Sequence, residues 1–143
     1  MSAAKLRLYW RLQLAAHFSQ KAADRELLAT GNITTAQTGV LSVIANGTNV
    51  SQKNVALALG LNESAVTAMV RRLVALNYIN ISQNNTDARA RVLTLTEAGK
   101  EIQEHARAPF ETINEKIEAT LSPTEVAKLA NYLERLTAAF ESK

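Results

Sequence analysis

Short hydroxyl side chains and a guanidinium group recur at helical spacing in the middle of the chain. In a helix that begins at Asn62, the side chains of Ser64, Thr67 and Arg71 fall within two turns on one face. Hydroxyl groups let a helix approach base edges or phosphates closely, and an arginine binds guanine bidentately or clamps a phosphate. This face is a candidate surface for reading duplex DNA, and the alternative is an ordinary solvated helix face.

A second group of charged residues lies at the tip of a hairpin predicted from Tyr78 to Thr96. Asp87 and Arg89 are two residues apart, so they lie on the same side of a strand and can pair. An exposed pair contributes only about 0–1 kcal/mol to stability, so stability explains these residues poorly. Arg91 is a predicted phosphate contact, with a plain charge at the sheet edge as the alternative.

Composition limits the class of protein. The chain has 143 residues, about one domain, and a domain of that size buries a substantial core. Aromatic residues make up only 5% and proline and glycine are scarce, which favours a mainly helical fold. No apolar run approaches the length of a membrane span, and the N-terminus lacks a secretory signal. Because the chain has no cysteine, disulfides and thiolate metal sites are excluded, and we expect a cytoplasmic protein.

Charge is distributed unevenly along the chain. Residues 46–96 contain five basic and two acidic residues, whereas residues 97–143 contain six basic and nine acidic residues. A basic middle beside an acidic final third indicates that the middle faces a polyanion. The alternative is a chance imbalance of solvated charges.

The elements that position the candidate residues begin with a long helix from about Ala3 to Thr30. Its apolar stripe is wide enough to need two packing partners, such as its own core and another chain. Thr34 and Gln37 form a predicted capping box at the start of the second helix. The buried side of this second helix is predicted to be Val40, Leu41 and Ile44.

Two short helices joined at a glycine corner predict a helix-turn-helix. Ser51 is the predicted cap of the third helix and Asn62 that of the fourth, and Gly60 supplies the corner with positive φ. The inward side of the third helix is predicted to be Val55, Leu57, Ala58 and Leu59. The apolar face of the fourth helix is predicted to be Val66, Met69, Val70, Leu73 and Leu76.

A fifth helix is predicted to start at Thr96 and run to about Thr120, with a kink near His105 because Pro109 removes a backbone hydrogen bond. The last helix is predicted to begin at Ser122, which forms a capping box with the residue three positions on. Its heptad-like apolar seam suits pairing between helices, including helices of two chains. The seam consists of Val126, Leu129, Leu133, Leu136 and Phe140.

With these elements placed, the chain resembles the multiple antibiotic resistance regulator (MarR) family of bacterial winged-helix transcription factors. The residues that carry the resemblance are Ile33-Thr34, Gln37, Leu41, Val55-Ala56, Leu59, Ser64, Val66-Thr67, Val70-Arg71-Arg72-Leu73, Asp87-Ala88-Arg89, Leu95-Thr96 and Gly99. The sequence departs from the family pattern at Ala88, where arginine is common, and at Asn77, where glycine is common. The first departure would weaken phosphate contact by the wing, whereas asparagine tolerates the same backbone angles as glycine.

The resemblance implies a mainly α fold with a small β-hairpin, a winged helix-turn-helix with N- and C-terminal dimerisation helices. Residues 1–143 would form a single domain, with a DNA-binding lobe at 32–98 and dimerisation helices at 1–31 and 99–143. The implied function is sequence-specific binding of double-stranded DNA as a homodimer on a pseudo-palindromic operator. Members of the family usually repress transcription, and a small-molecule effector could release the dimer.

The resemblance also implies roles for individual residues. Arg89 would enter the minor groove while Asp87 holds its side chain extended. The expected contacts of the recognition helix are Asn62, Ser64, Ala65, Thr67, Ala68 and Arg71. The expected wing contacts are Asp87, Arg89 and Arg91, and the expected contacts to the DNA backbone are Ser51, Gln52 and Lys53.

An effector pocket is implied between the first helix and the dimerisation helices. Its candidate lining residues are Tyr9, Trp10 and His17, with Phe18 beside them, and the alternative for the aromatic residues is core or dimer packing. His17 and His105 are the only histidines and lack the spacing of metal ligands, so no metal and no cofactor is expected.

Two other classes of function compete with this one. A winged-helix module for protein interaction or dimerisation, without DNA binding, is the alternative, and the basic wing and hydroxyl-lined helix argue against it. An enzyme is not expected, because no nucleophile lies in a recognisable setting and no glycine-rich phosphate loop or metal cluster can be assembled.

Overall fold

The computed structural model describes residues 7–83 and 91–141. Within these ranges the chain forms seven α-helices and one antiparallel pair of strands. In chain order the elements are α1 (Leu8–Gly31), α2 (Thr35–Asn46), α3 (Gln52–Leu59), α4 (Glu63–Ala75), β1 (Ile79–Gln83), β2 (Arg91–Leu95), α5 (Glu97–His105), α6 (Arg107–Thr120) and α7 (Pro123–Glu141). The chain divides into two compact units, Met1–Pro109 and Phe110–Lys143, and the boundary falls inside α6.

The first unit is built around one apolar core to which α1 to α5 and both strands contribute. Leu27 of α1, Leu41 of α2, Val55 of α3, Leu73 of α4 and Ile79 of β1 are each at most 1% exposed. Burial of one such side chain stabilises a fold by about 1.5–3 kcal/mol. The apolar positions predicted for α2 and α4 therefore form the base that supports the candidate face.

The second helix begins as its sequence predicts. The Thr34 hydroxyl accepts the amide of Gln37 at 3.2 Å, and the Gln37 side chain accepts the Thr34 amide at 3.0 Å. Asp24 of α1 adds a contact that local sequence does not indicate, because its Oδ1 accepts the Thr35 amide at 2.7 Å. A carboxylate at a helix N-terminus also interacts favourably with the helix dipole, so this bond fixes α1 to α2.

The prediction of a single fifth helix to Thr120 is wrong. The chain forms two helices, α5 and α6, with a break at Ala106, one residue after the predicted kink at His105. Pro109 has no amide hydrogen, so it cannot donate to the carbonyl of His105 four residues earlier. The missing bond ends α5 instead of only bending a continuous helix.

The prediction for the inward side of α3 is partly wrong. Leu57 is 73% exposed and Ala58 is exposed, whereas Val55 and Ala56 are buried. In a helix, residues four apart lie on the same face, and so does a direct neighbour at the edge of that face. Val55, Ala56 and the half-buried Leu59 have this spacing and form the inward side of α3.

Most of α1 is exposed in the single chain. Only Ala23 and Leu27 of this helix are buried. Its exposed large apolar side chains are Leu8, Tyr9, Trp10, Leu12, Leu14, Phe18 and Leu28. The helix ends where Asn32 takes a left-handed conformation, with φ 57°; the predicted start near Ala3 lies outside the described residues.

The second unit contains most of α6 and all of α7. Ser122 and Glu125 form the predicted capping box, with the Ser122 amide donating to Glu125 Oε1 at 2.9 Å. No residue of α7 is buried, although the helix carries the predicted apolar seam. Among the described residues, no helix combines the length and apolar character that crossing a membrane requires.

Candidate nucleic-acid interface

The helix-turn-helix is formed by α3 and α4, joined at a left-handed glycine. Gly60 has φ 65°, and its amide and that of Leu61 both donate to the carbonyl of Ala56. A residue with a Cβ adopts this conformation at a cost, so glycine favours the sharp corner. The predicted corner is confirmed, and α4 packs against α3 beyond it.

One face of α4 is buried and the opposite face is open. Val66, Val70 and Leu73 are at most 1% exposed. The predicted contact residues that are exposed are Asn62, Ser64, Ala68 and Arg71, whereas Ala65 and Thr67 are half-buried. By their spacing Ser64, Ala68 and Arg71 share one accessible face of α4, and Asn62 lies at the N-terminal end of the helix as its cap.

The N-terminal turn of α4 is organised by Asn62. Its Oδ1 accepts the Ala65 amide at 2.9 Å and the Ser64 hydroxyl at 2.8 Å. Because the hydroxyl proton of Ser64 is directed at Asn62, Ser64 presents lone pairs outward and is an acceptor for a partner. A group that can donate such a bond is the exocyclic amine of cytosine or adenine.

Thr67 makes a contact that the sequence did not predict. Its hydroxyl lies 2.9 Å from Gln52 Oε1 and also 2.9 Å from the carbonyl of Glu63. Both partners are acceptors, and Gln52 lies 15 positions before Thr67 in the sequence. No local pattern indicates such a bond, because only the packing of α3 against α4 brings Gln52 and Thr67 together.

The first turn of α3 contains the three predicted DNA-backbone residues. The Ser51 hydroxyl accepts the Asn54 amide at 3.1 Å and donates to Asn54 Oδ1 at 2.9 Å, so it is used in capping α3. Gln52 is half-buried against Thr67, and Lys53 is exposed. Lys53 has no ion pair among the described residues, whereas the hydroxyl of Ser51 is engaged in capping α3.

The hairpin pairs Ile79 with Leu95 at its base and Gln83 with Arg91 at its outer end. Arg91 is exposed, and the predicted wing residues Asp87 and Arg89 lie outside the described residues. The Leu93 amide donates to the carbonyl of Val50 at 2.8 Å, which ties β2 to the residue before the α3 cap. This hydrogen bond links strand β2 of the hairpin to the start of α3.

The charge of this region is predominantly positive. Within residues 46–83 and 91–96 the basic residues are Lys53, Arg71, Arg72 and Arg91, all exposed, and the acidic residue is Glu63. This excess of exposed cations over acidic residues favours a polyanionic partner.

The candidate pocket residues are not brought together in the single chain. Tyr9 and Trp10 are neighbours in an edge-to-face arrangement, with ring centroids 5.2 Å apart. His17 lies two turns further along α1 and contacts Phe18 in the same way. All four side chains are exposed, so a pocket lined by them would need a second surface. Among the described residues, no three histidine, aspartate or glutamate side chains are grouped as metal ligands.

Comparison with known proteins finds a family model that matches part of the chain, and solved structures that share its fold. The sequence profile of the MarR family matches residues 32–90, which contain α2 to α4 and the first strand of the hairpin. No curated relative matches the sequence. The matched range agrees with the resemblance inferred from the residues.

Solved structures with the same fold cover nearly the whole chain. The MepR–DNA complex of S. aureus is 21% identical with a TM-score of 0.82 and covers 92% of this chain and 97% of MepR. CouR from Rhodococcus jostii RHA1, bound to p-coumaroyl-CoA, is 20% identical with a TM-score of 0.79, covering 95% of each chain. The YusO protein from Bacillus subtilis is 28% identical with a TM-score of 0.67 and covers 97% of this chain and 99% of YusO. These likenesses confirm the predicted winged helix-turn-helix fold.

Proposed function

We propose that this chain, whose residues 32–90 match the MarR family model, is a member of that family and a sequence-specific double-stranded DNA-binding regulator of transcription, not an enzyme. The observation that carries the proposal is the face of α4. Ser64, Ala68 and Arg71 are exposed on a helix whose other side is held by fully buried valine and leucine. A rigid helix with small side chains and one arginine on its open face fits a major groove.

The remaining predicted contacts are assigned to the DNA backbone and to the minor groove. Lys53 and Gln52 in the first turn of α3 and Arg91 at the outer end of β2 contact phosphates, because cations and amide donors match phosphate oxygens. Asp87 and Arg89 form the tip of the wing, with Arg89 in the minor groove. These assignments rest on the exposure of Lys53 and Arg91 and on the family pattern.

The functional form is a homodimer. Two surfaces support this: the apolar first half of α1, where Trp10 is 64% and Phe18 62% exposed, and the seam of α7, which has no buried residue. Exposed apolar surfaces of this extent are covered by a partner in soluble proteins. A twofold dimer presents two recognition helices about 34 Å apart, so the operator is pseudo-palindromic.

Regulation is proposed to be repression relieved by a small-molecule effector in the cytoplasm. CouR, which shares the fold, is bound to p-coumaroyl-CoA in its structure, and this supports an effector for the fold without identifying one for this chain. Tyr9, Trp10 and His17 would line the pocket together with a surface of the second chain. An effector acts only if it binds one spacing of the recognition helices better than another.

The experiment is a fluorescence-anisotropy titration of duplexes that the wild-type protein selects from a random library. Affinity is expected to fall steeply as salt rises, because neutralised phosphates release counterions. Failure to enrich any sequence, or binding that is insensitive to salt, would overturn the proposal. A partner-binding activity that survives both Arg71→Ala and Arg89→Ala would then favour a protein-interaction module.

A further inference from the structure

The Thr67 hydroxyl has two acceptors within the protein, and this indicates different roles for Thr67 and Gln52. The inference rests on the proposed DNA binding. A threonine hydroxyl has one proton. Both acceptors within 2.9 Å of Thr67 Oγ1, Gln52 Oε1 and the carbonyl of Glu63, belong to the protein. The proton of Thr67 is therefore used inside the chain and is not available to a base edge.

The same bond orients the amide of Gln52. With Oε1 sharing the single proton of Thr67 with the carbonyl of Glu63, the amide nitrogen Nε2 is turned away from Thr67 and carries two protons. No described residue accepts a bond from Nε2 in the structure. Gln52 is the first residue of α3, beside the exposed Lys53. In a helix-turn-helix the first of the two helices crosses the DNA backbone, where every available group is an acceptor.

We propose that Thr67 is a positioning residue that holds Gln52 so that its amide donates to a DNA phosphate. Thr67 thus acts on affinity through Gln52 and does not read a base with its hydroxyl. The residues of α4 then have different roles. Ser64 and Arg71 discriminate the DNA sequence, whereas Thr67 supports the contact of α3 with the DNA backbone.

This assignment makes a distinctive prediction for affinity. Loss of a phosphate contact weakens binding to all sequences alike, whereas loss of a base contact lowers the preference for the cognate site. Thr67→Val removes the hydroxyl and keeps the branched side chain. It is expected to weaken binding to the selected duplex and to a scrambled duplex of equal composition by the same factor, about threefold to tenfold for one neutral hydrogen bond.

The second arm is a double-mutant cycle. Gln52→Ala is expected to cause a loss similar to that of Thr67→Val, and the double variant is expected to lose no more than Gln52→Ala alone, because the two residues act as a unit. Thr67→Ser keeps the hydroxyl and is the matched control, expected to bind within about twofold of wild type. Thermal melting of every variant separates these effects from loss of folded protein.

Failure of the positioning role and failure of the proposed DNA binding give different results in these titrations. If Thr67→Val weakens only the selected duplex, or if its loss adds fully to that of Gln52→Ala, the positioning role is overturned while the proposed function stands. If the wild-type protein binds neither duplex, the proposed function fails and this inference fails with it. Equal losses on both duplexes with no additivity support the assignment.

Discussion

The hydroxyl of Tyr78 donates to the carbonyl of Gly31 at 2.9 Å, across 47 positions of sequence. This bond joins the last residue of α1 to the segment between α4 and β1. The same segment is held from the other side, because the carbonyl of Tyr78 accepts the Thr96 amide at 3.0 Å. The amide of Tyr78 also donates to the carbonyl of Leu73 at 2.9 Å, so Tyr78 connects α1, α4 and the base of the hairpin.

Tyr78→Phe is expected to lower the free energy of unfolding by about 0.5–1.5 kcal/mol, because it removes one hydrogen bond and keeps the ring. Urea denaturation at a fixed protein concentration measures this change. Tyr132→Phe is the matched control: that ring is 50% exposed on α7, and the substitution should leave stability unchanged. Equal losses in the two variants would contradict the role given to Tyr78.

Gly99→Ala is expected to destabilise the fold by about 3 kcal/mol or more, the upper range for overpacking. A Cβ on Gly99 would lie 2.0 Å from the carbonyl oxygen of Tyr78, which is backbone and has little freedom to move. Gly39→Ala is the matched control, since its nearest neighbour would be Leu59 Cδ2 at 3.5 Å.

Because Gly39 lies in α2, Gly39→Ala is expected to raise the free energy of unfolding by about 0.5–1 kcal/mol, since it lowers the conformational entropy of the unfolded chain. Thermal melting of both variants gives the comparison. A Gly99→Ala protein as stable as wild type would show that the hairpin base does not approach α5 as closely as described.

Local signals in the sequence predicted the helix starts. The capping boxes at Thr34 and Ser122, the caps at Ser51 and Asn62 and the corner at Gly60 are each defined within three or four residues, and all are confirmed. The same applies to Asn77, which takes a positive φ of 63° in place of the usual glycine. Backbone sterics and short-range hydrogen bonds suffice for such features.

The remaining features depend on packing and could not be read locally. The sequence does not decide the inward side of α3, because positions 57 and 59 are both leucine and only packing against the neighbouring helices determines which side chain turns inward. The bonds from Thr67 to Gln52 and from Tyr78 to Gly31 join residues that are distant in sequence. A single sequence carries no signal for such pairs.

Arg71→Ala is expected to weaken binding to the selected duplex by about 1–3 kcal/mol, and to reduce the preference over scrambled DNA if the guanidinium binds a guanine. Anisotropy titrations at several salt concentrations measure both quantities. A phosphate contact alone would instead reduce the salt slope by about one and leave the preference intact.

Lys128→Ala, which removes an exposed cation from α7, is the matched control for Arg71→Ala. It should change neither the affinity nor the salt slope. If both variants weaken binding equally, the effect reflects net charge and the assignment of Arg71 to the groove is wrong.

Leu133→Glu is expected to shift the protein from dimer to monomer, because it places a carboxylate in the apolar seam of α7. Leu133 is 40% exposed in the single chain, so the charge is tolerated by the monomer and penalised only when a partner covers it. Sedimentation velocity over a range of concentrations measures the shift. Asn131→Glu, which makes the same change of charge on α7 outside the seam, should stay dimeric; dissociation of both variants would place the interface elsewhere.

The capping box of α7 provides a test of pH dependence. Bonds from the backbone and the side chain of Ser122 lower the pKa of Glu125 below its usual value of 4.5, because they favour the ionised carboxylate. A carboxyl whose pKa is lower in the folded state stabilises that state above the unfolded pKa and loses the effect as pH falls through the folded pKa. Glu125→Gln removes the charge and keeps an acceptor, so its melting temperature should depend less on pH between about 6 and 3 than that of wild type. Glu118→Gln, an exposed carboxyl of α6, is the matched control and should keep the wild-type profile; if Glu125→Gln also keeps it, the charge of Glu125 does not contribute to the start of α7.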